Sequence, residues 1–88
     1  MAERQFYLII IRDARERIQV ISGIGTKESY DSKLMGVDES NIMFRTYGLT
    51  RAQDRIAEQI TSRISGMPLT EVSDEISGLA KILTGDIK

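Results

Sequence analysis

Phe6-Tyr7-Leu8-Ile9-Ile10-Ile11 is an unbroken apolar run, bounded by Glu3 and Arg4 on one side and by Arg12 and Asp13 on the other. β-Branched and aromatic residues pack well on a pleated surface and lose rotamer freedom in a helix. A run this short suits a strand better than a helix. Side chains alternate along a strand, so Phe6, Leu8 and Ile10 share one face while Tyr7, Ile9 and Ile11 share the other. Both faces are apolar. A strand with one wet face reads as apolar and polar in alternation, so this one is expected to be covered on both sides.

Asp13-Ala14-Arg15-Glu16 reads as a polar turn into a second strand at 17–22, where Ile18 and Val20 face one side and Gln19 and Ile21 the other. Two extended runs with a short link make an antiparallel hairpin, although no Asn-Gly turn fixes its register. Gly23-Ile24-Gly25 then breaks the pattern, and a polar, acidic stretch follows to Ser40, with Tyr30, Leu34, Met35 and Val37 as its apolar anchors. It is long for a structureless connection, so it either hides a short element, a further edge strand or a helical turn over 29–37, or is functional. Asn41 to Tyr47 is the next clear strand, with Ile42, Phe44 and Thr46 on one face, Met43, Arg45 and Tyr47 on the other, and Gly48 ending it.

The remainder is helical. Thr50 and Gln53 have the spacing of a capping box, and Leu49 precedes them as a hydrophobic staple would. Ala52, Ile56, Ile60 and Ile64 recur at every fourth position through a helix over 50–65, which Gly66, Met67 and Pro68 end. A second helix over 70–84 carries Leu69, Val72, Ile76, Leu79, Ala80 and Leu83 as one apolar stripe, with Gly85 as its stop. The order is β-β-(loop/β)-β-α-α. Residues 1–88 thus form a single α+β domain, with an antiparallel sheet of three or four strands over 5–47. An αα-hairpin packs on one face of that sheet.

Composition narrows the chemistry. The chain has no Cys and no His. Disulfides, thiolate or imidazole metal ligands, and the Ser–His and Cys–His nucleophile pairs are therefore excluded. No oxygen-ligand loop of EF-hand spacing is present, so no metal and no cofactor is expected. The apolar run is too short for a signal-peptide core or a membrane span, which points to a soluble, cytoplasmic protein.

Gly23-Ile24-Gly25-Thr26-Lys27 lacks the spacing of a phosphate-binding loop, and position 28 is Glu where a dinucleotide fingerprint needs its third Gly. The carboxylate pairs Asp38-Glu39, Asp54 with Glu58, and Asp74-Glu75 read as solvated surface or as helix-dipole partners rather than as catalytic dyads. The expectation is that the chain is not an enzyme.

Charge is unevenly placed. All eight Arg lie within 1–22 and 41–63, and all four Lys within 23–40 and 64–88. Ordinary solvated surface accounts for this pattern. A sharper reading makes Arg12, Arg15, Arg17 and Arg45, with Arg63, Lys27 and Tyr30, contacts for a partner or ligand. Arg63 falls within the apolar stripe of the first helix, where its stem packs and its head snorkels, or where it awaits a carboxylate. Tyr7, Tyr30, Phe44 and Tyr47 are available in principle to stack bases, while the acidic pI of about 5.4 argues against a nucleic-acid footprint.

Two helices cover one sheet face. That leaves Tyr7, Ile9, Ile11 and Ile21, with Met43 and Tyr47, as an apolar patch on the other, a surface that usually marks an interface. The expectation is a homodimer or higher assembly through the sheet, with a C2 dimer as the default; the rival is that 23–40 folds back over the patch. Functionally, the chain is expected to be a small self-associating adaptor or inhibitor that occupies a protein partner's surface, a build common among proteins of phages and mobile elements. The alternative is a nucleotide- or RNA-binding protein using an Arg- and Tyr-bearing sheet face.

Overall fold

The computed structural model describes residues 3–84. The chain runs β1 (Gln5–Arg12), β2 (Ile18–Gly25), α1 (Lys27–Leu34), a 3-10 turn at Glu39–Asn41, β3 (Ile42–Leu49), α2 (Arg51–Ile64) and α3 (Leu69–Thr84). The three strands form one antiparallel sheet in the order β2-β1-β3. This is the expected α+β class with its C-terminal helices. The apolar run is the central strand. Tyr7 to Ile10 are all buried, as a strand flanked on both edges and covered on both faces must be.

The hairpin from β1 to β2 is built by a side chain. Asp13 N–H donates to the Arg17 carbonyl and Glu16 N–H to the Asp13 carbonyl, both at 2.9 Å. Asp13 Oδ1 accepts the N–H groups of Arg15 and Arg17 at 2.8 and 3.0 Å, and its Oδ2 accepts from Gln19 Nε2 at 2.9 Å. Glu16 takes the left-handed position, φ 60°, that Gly fills in most three-residue hairpin loops. The carboxylate thus supplies the register that no Asn-Gly pair supplies.

Gly23-Ile24-Gly25 continues β2 rather than breaking it. Tyr7 pairs with Gly23, and a Cβ at Gly23 would stand 3.2 Å from the Tyr7 hydroxyl. These glycines leave room for the ring. β3 also runs on, through Gly48 to Leu49, and its register against β1 shifts between Phe6 and Tyr7 and again between Ile10 and Ile11. Each shift is a bulge. Gly48 occupies one with φ +93°, and Met43 is the unpaired residue of the other. Bulges turn a strand's later residues over. Met43 accordingly packs with the helix-side core, not with Tyr47 as strict alternation requires.

α2 starts at the expected capping box: Thr50 Oγ1 accepts from Gln53 N–H at 3.1 Å, and Gln53 Oε1 from Thr50 N–H at 2.9 Å. No staple forms, because the position that would meet Leu49 is Asp54; Leu49 instead ends β3 inside the core. The fourfold repeat of Ile residues does not stay on one face. A residue every four positions drifts by about 40° per repeat on a helix of 3.6 residues per turn. Ile56 is therefore 39% exposed, and Ala57 (2%) and Thr61 (6%) meet the sheet in its place. α3 keeps its stripe, with Val72, Ile76, Leu79 and Leu83 buried beneath α2 and the sheet. Gly85, the expected stop, lies outside the described residues.

The second face is closed by α1. Thr26 caps this helix through its hydroxyl, which accepts Ser29 N–H at 3.1 Å. Tyr30 is buried against Tyr7 and Ile9, with Ile11, Ile21, Leu34 and Tyr47 packed around them. Of the anchors considered for the stretch 23–40, Tyr30 and Leu34 meet the sheet, Val37 is half-buried and Met35 is 78% exposed.

Candidate functional site

The expected interface residues do not form one open surface. Tyr7 and Ile9 are buried under α1; Ile11, Ile21 and Tyr47 are half-buried around its rim, and Met43 belongs to the opposite face. The three tyrosines pack in series, Tyr7 against Tyr30 in a T-shaped pair and Tyr30 against Tyr47 in a tilted one. Tyr7 and Tyr30 have ring centroids 5.9 Å apart, and Tyr30 and Tyr47 5.3 Å. Lys27 Nζ stands 4.7 Å from the Tyr30 centroid and 5.6 Å from that of Tyr47, and pairs with Asp31 at 3.6 Å. Tyr47 Oη donates to the Gly25 carbonyl at 3.0 Å. Burial, chiefly, raises the Tyr30 pKa above its ordinary value, while Arg45 pulls against it and Asp31 adds to it. This cluster is a buttress for α1. Its rings are spent on each other and on β1.

The basic candidates are scattered. Arg12 donates to Asn41 Oδ1, at 3.1 Å from Nη2, tying β1 to the 3-10 turn. Arg15 is exposed at the hairpin tip, and Arg17 Nη1 donates to the Gly66 carbonyl at 3.0 Å. Arg45 is exposed on β3. Arg63 is exposed beside Ile60, Met67, Glu71 and Glu75, with no carboxylate within ion-pair distance among the described residues. Lys27 and Tyr30 follow the far end of β2, away from the hairpin. Of the five Arg candidates only Arg63 lines any of the three best-formed cavities.

A different surface is concave, with an acidic wall. A groove of about 330 Å³ runs between β2 and α2, with Phe6, Leu8, Ala57 and Thr61 as its floor, Ser22, Gly23 and Ile24 on one wall, and Asp54 and Glu58 on the other. Asp54 and Glu58 stand one helical turn apart and Ala57 and Thr61 follow the same spacing, so α2 presents all four to the groove. Thr61 Oγ1 donates back to the Glu58 carbonyl at 3.4 Å, which lets a hydroxyl lie buried there. Burial, with the Glu58 carboxylate adding to it, raises the Asp54 pKa above the ordinary carboxylate value. No cation lines the groove.

Beside this groove the sheet edge is open. Ile18 turns its N–H to the Met67 carbonyl at 2.9 Å and its carbonyl to Gly66 N–H at 2.7 Å. Amide direction alternates along an antiparallel strand, so Val20, Ser22 and Ile24 also point their backbone groups outward. Among the described residues no other segment reaches those groups. Ile24, at 55% exposure, is the apolar side chain at the mouth.

Sequence reasoning missed this surface. It ended β2 at Ser22 and assigned Asp54 and Glu58 to a solvated helix face. The signal that could have found it is an uncharged stretch, Val20 to Gly25, in a strand with no charge or Pro to guard its edge. Compared with protein-family models, curated proteins and solved structures, the chain finds no significant match, so the chemistry of this surface is read from its own residues.

Proposed function

We propose that the chain is a small, non-enzymatic protein–protein interaction module that acts by occupying a partner's surface. The observation that supports this reading best is the open outer edge of β2 beside the β2–α2 groove. Unpaired backbone groups in register are a template for another chain, and proteins that do not use such an edge guard it. The expectation of a homodimer rested on an uncovered second sheet face, and α1 takes that face. In this reading any self-association uses a surface other than the face under α1.

Nucleotide or RNA binding has less to draw on. Tyr7 and Tyr30 are buried, Tyr47 is half-buried with its hydroxyl tied, and Phe44 packs with the core, so none of these four rings stands free as a stacking platform. The test is affinity capture by the immobilised full chain from a lysate of its source, at low and at moderate salt. The reading expects one protein retained stoichiometrically at both. Retention of nucleic acid alone, lost as salt rises, would replace it with the RNA-binding alternative.

A further inference from the structure

Resting on that reading, we propose that the occupant of the β2 edge is an extended segment of a partner protein, carrying Lys or Arg among apolar residues. It adds to the sheet as a fourth strand over Val20–Ile24, and its cation pairs with Asp54 and Glu58 across the groove.

Four features carry this. The first is the edge itself, whose outward groups at Val20, Ser22 and Ile24 have no partner among the described residues. The second is the contrast between the two edges of the sheet. β3 is interrupted by two bulges and bears the exposed Arg45, the devices that discourage edge pairing. β2 pairs with β1 in unbroken register and has neither. The third is the neighbouring groove, which gives side chains on one face of an added strand a place to go.

The fourth is charge. Two carboxylates and no cation line the groove, and one of those carboxylates is partly withdrawn from water. A cation on the incoming strand is the complement that this wall lacks. A second copy of the chain fits less well. Paired through the same edge, it would bring its own Asp54 and Glu58 to the seam and double the negative charge there. The turn at Gly66–Met67 closes the edge at Ile18, so the segment spans about five residues, roughly 16 Å of strand.

The test uses the full chain, labelled with ¹⁵N, and two blocked heptapeptides that differ only at their third and fifth residues. One reads Thr-Val-Lys-Val-Lys-Val-Thr, and the other has Glu in place of both Lys. The lysine peptide is expected to shift and protect the amides of Val20, Ser22 and Ile24 saturably. The glutamate peptide should bind at least tenfold more weakly. Glu58→Gln with Asp54→Asn should erase that preference while leaving the edge shifts, and Ser22→Pro, which removes an outward N–H and no ladder bond, should abolish both.

Equal affinity for the two peptides would overturn the charge assignment. An absence of change at Val20–Ile24 at millimolar lysine peptide, in a chain whose spectrum is folded, would overturn strand addition. A wild-type dimer that Ser22→Pro abolishes would put a second copy on the edge instead. If a natural partner is still captured by Ser22→Pro at wild-type yield, the interaction module stands and this docking mode fails; if nothing is captured and no peptide binds, both fail.

Discussion

Glu16 holds a conformation that its side chain does not favour. It is the one non-glycine residue at positive φ among those described, and no hydrogen bond or ion pair holds its exposed side chain. The left-handed region costs an ordinary L-residue about 1–2 kcal/mol, and Asn tolerates it better than most. Glu16→Asn should therefore stabilise the protein by up to about 1 kcal/mol. For a domain of this size that is about 4–8 °C in Tm. A melting temperature that stays level or falls would show that the turn carries no strain.

Asp13, on the same turn, makes a second prediction. Its pKa lies below the ordinary value, first because it accepts Arg17 N–H, then because it accepts Gln19, with Arg15 contributing less. A depressed carboxylate contributes stability that is present above its unfolded pKa, near 3.8, and lost as pH falls through the folded value. Asp38, which accepts from Ser40, has the same sign. Acid should destabilise the wild type below about pH 4, where free carboxylates titrate. Asp13→Asn should be less stable at pH 7 and show a shallower acid limb. Parallel limbs for the two proteins, measured by urea unfolding across pH 2–7, would remove Asp13 from the account.

Elements were legible in proportion to how much of their own signal they carry. α2 and α3 announce themselves by a capping box, a Gly-Met-Pro stop and apolar periodicity, and their ends fall within a residue or so of the reading. β1 announces itself by composition. α1 does not, because only Tyr30 and Leu34 of its side chains turn to the sheet, and two residues make no stripe. Its formation depends on Thr26 as a cap and on the tyrosines beneath it, both visible only in three dimensions.

The bulges in β3 were hidden for a related reason. Local sequence gives alternation, but register comes from pairing, and one extra residue reassigns Met43. Gly48 was legible as a stop and not as a bulge. The distinction has a consequence: at φ +93° any side chain is strained, so Gly48→Ala should cost roughly 1–2 kcal/mol. The Cβ itself would meet only Gln5 Oε1, the end of a flexible side chain, so backbone strain is the larger effect. Denaturant midpoints unchanged from wild type would mean that β3 can end at Tyr47 without loss.

At the scale of the molecule, the central strand poses one requirement: two apolar faces need two covers. α2 and α3 bury Leu8 and Ile10, and α1 buries Tyr7 and Ile9. The two covers are unequal. The helical hairpin holds its face with many buried side chains, whereas α1 holds its face mainly through Tyr30. Removing a buried aromatic costs about 3–5 kcal/mol. A domain's whole stability is about 5–15 kcal/mol, so a weakly held element opens before the rest. Tyr30→Ala should release α1 locally while the sheet and the C-terminal helices persist.

The uncovered surface would then carry Tyr7, Ile9, Ile11, Ile21 and Tyr47, which with Met43 make up the patch that the sequence alone assigns to an interface, and patches of that kind drive association. Hydrogen exchange should report lost protection over Lys27–Leu34 with protection kept in β1, α2 and α3. Sedimentation at micromolar concentration should report a larger species than wild type. A Tyr30→Ala protein that keeps α1 protected and sediments as wild type does would mean that Leu34, Thr26 and the Lys27 contacts suffice, and that the second cover is stronger than its one buried ring implies. Loss of protection everywhere at once would instead make α1 part of a single cooperative unit. Tyr30→Phe, which keeps the ring and drops only the hydroxyl, should behave as wild type in both measurements.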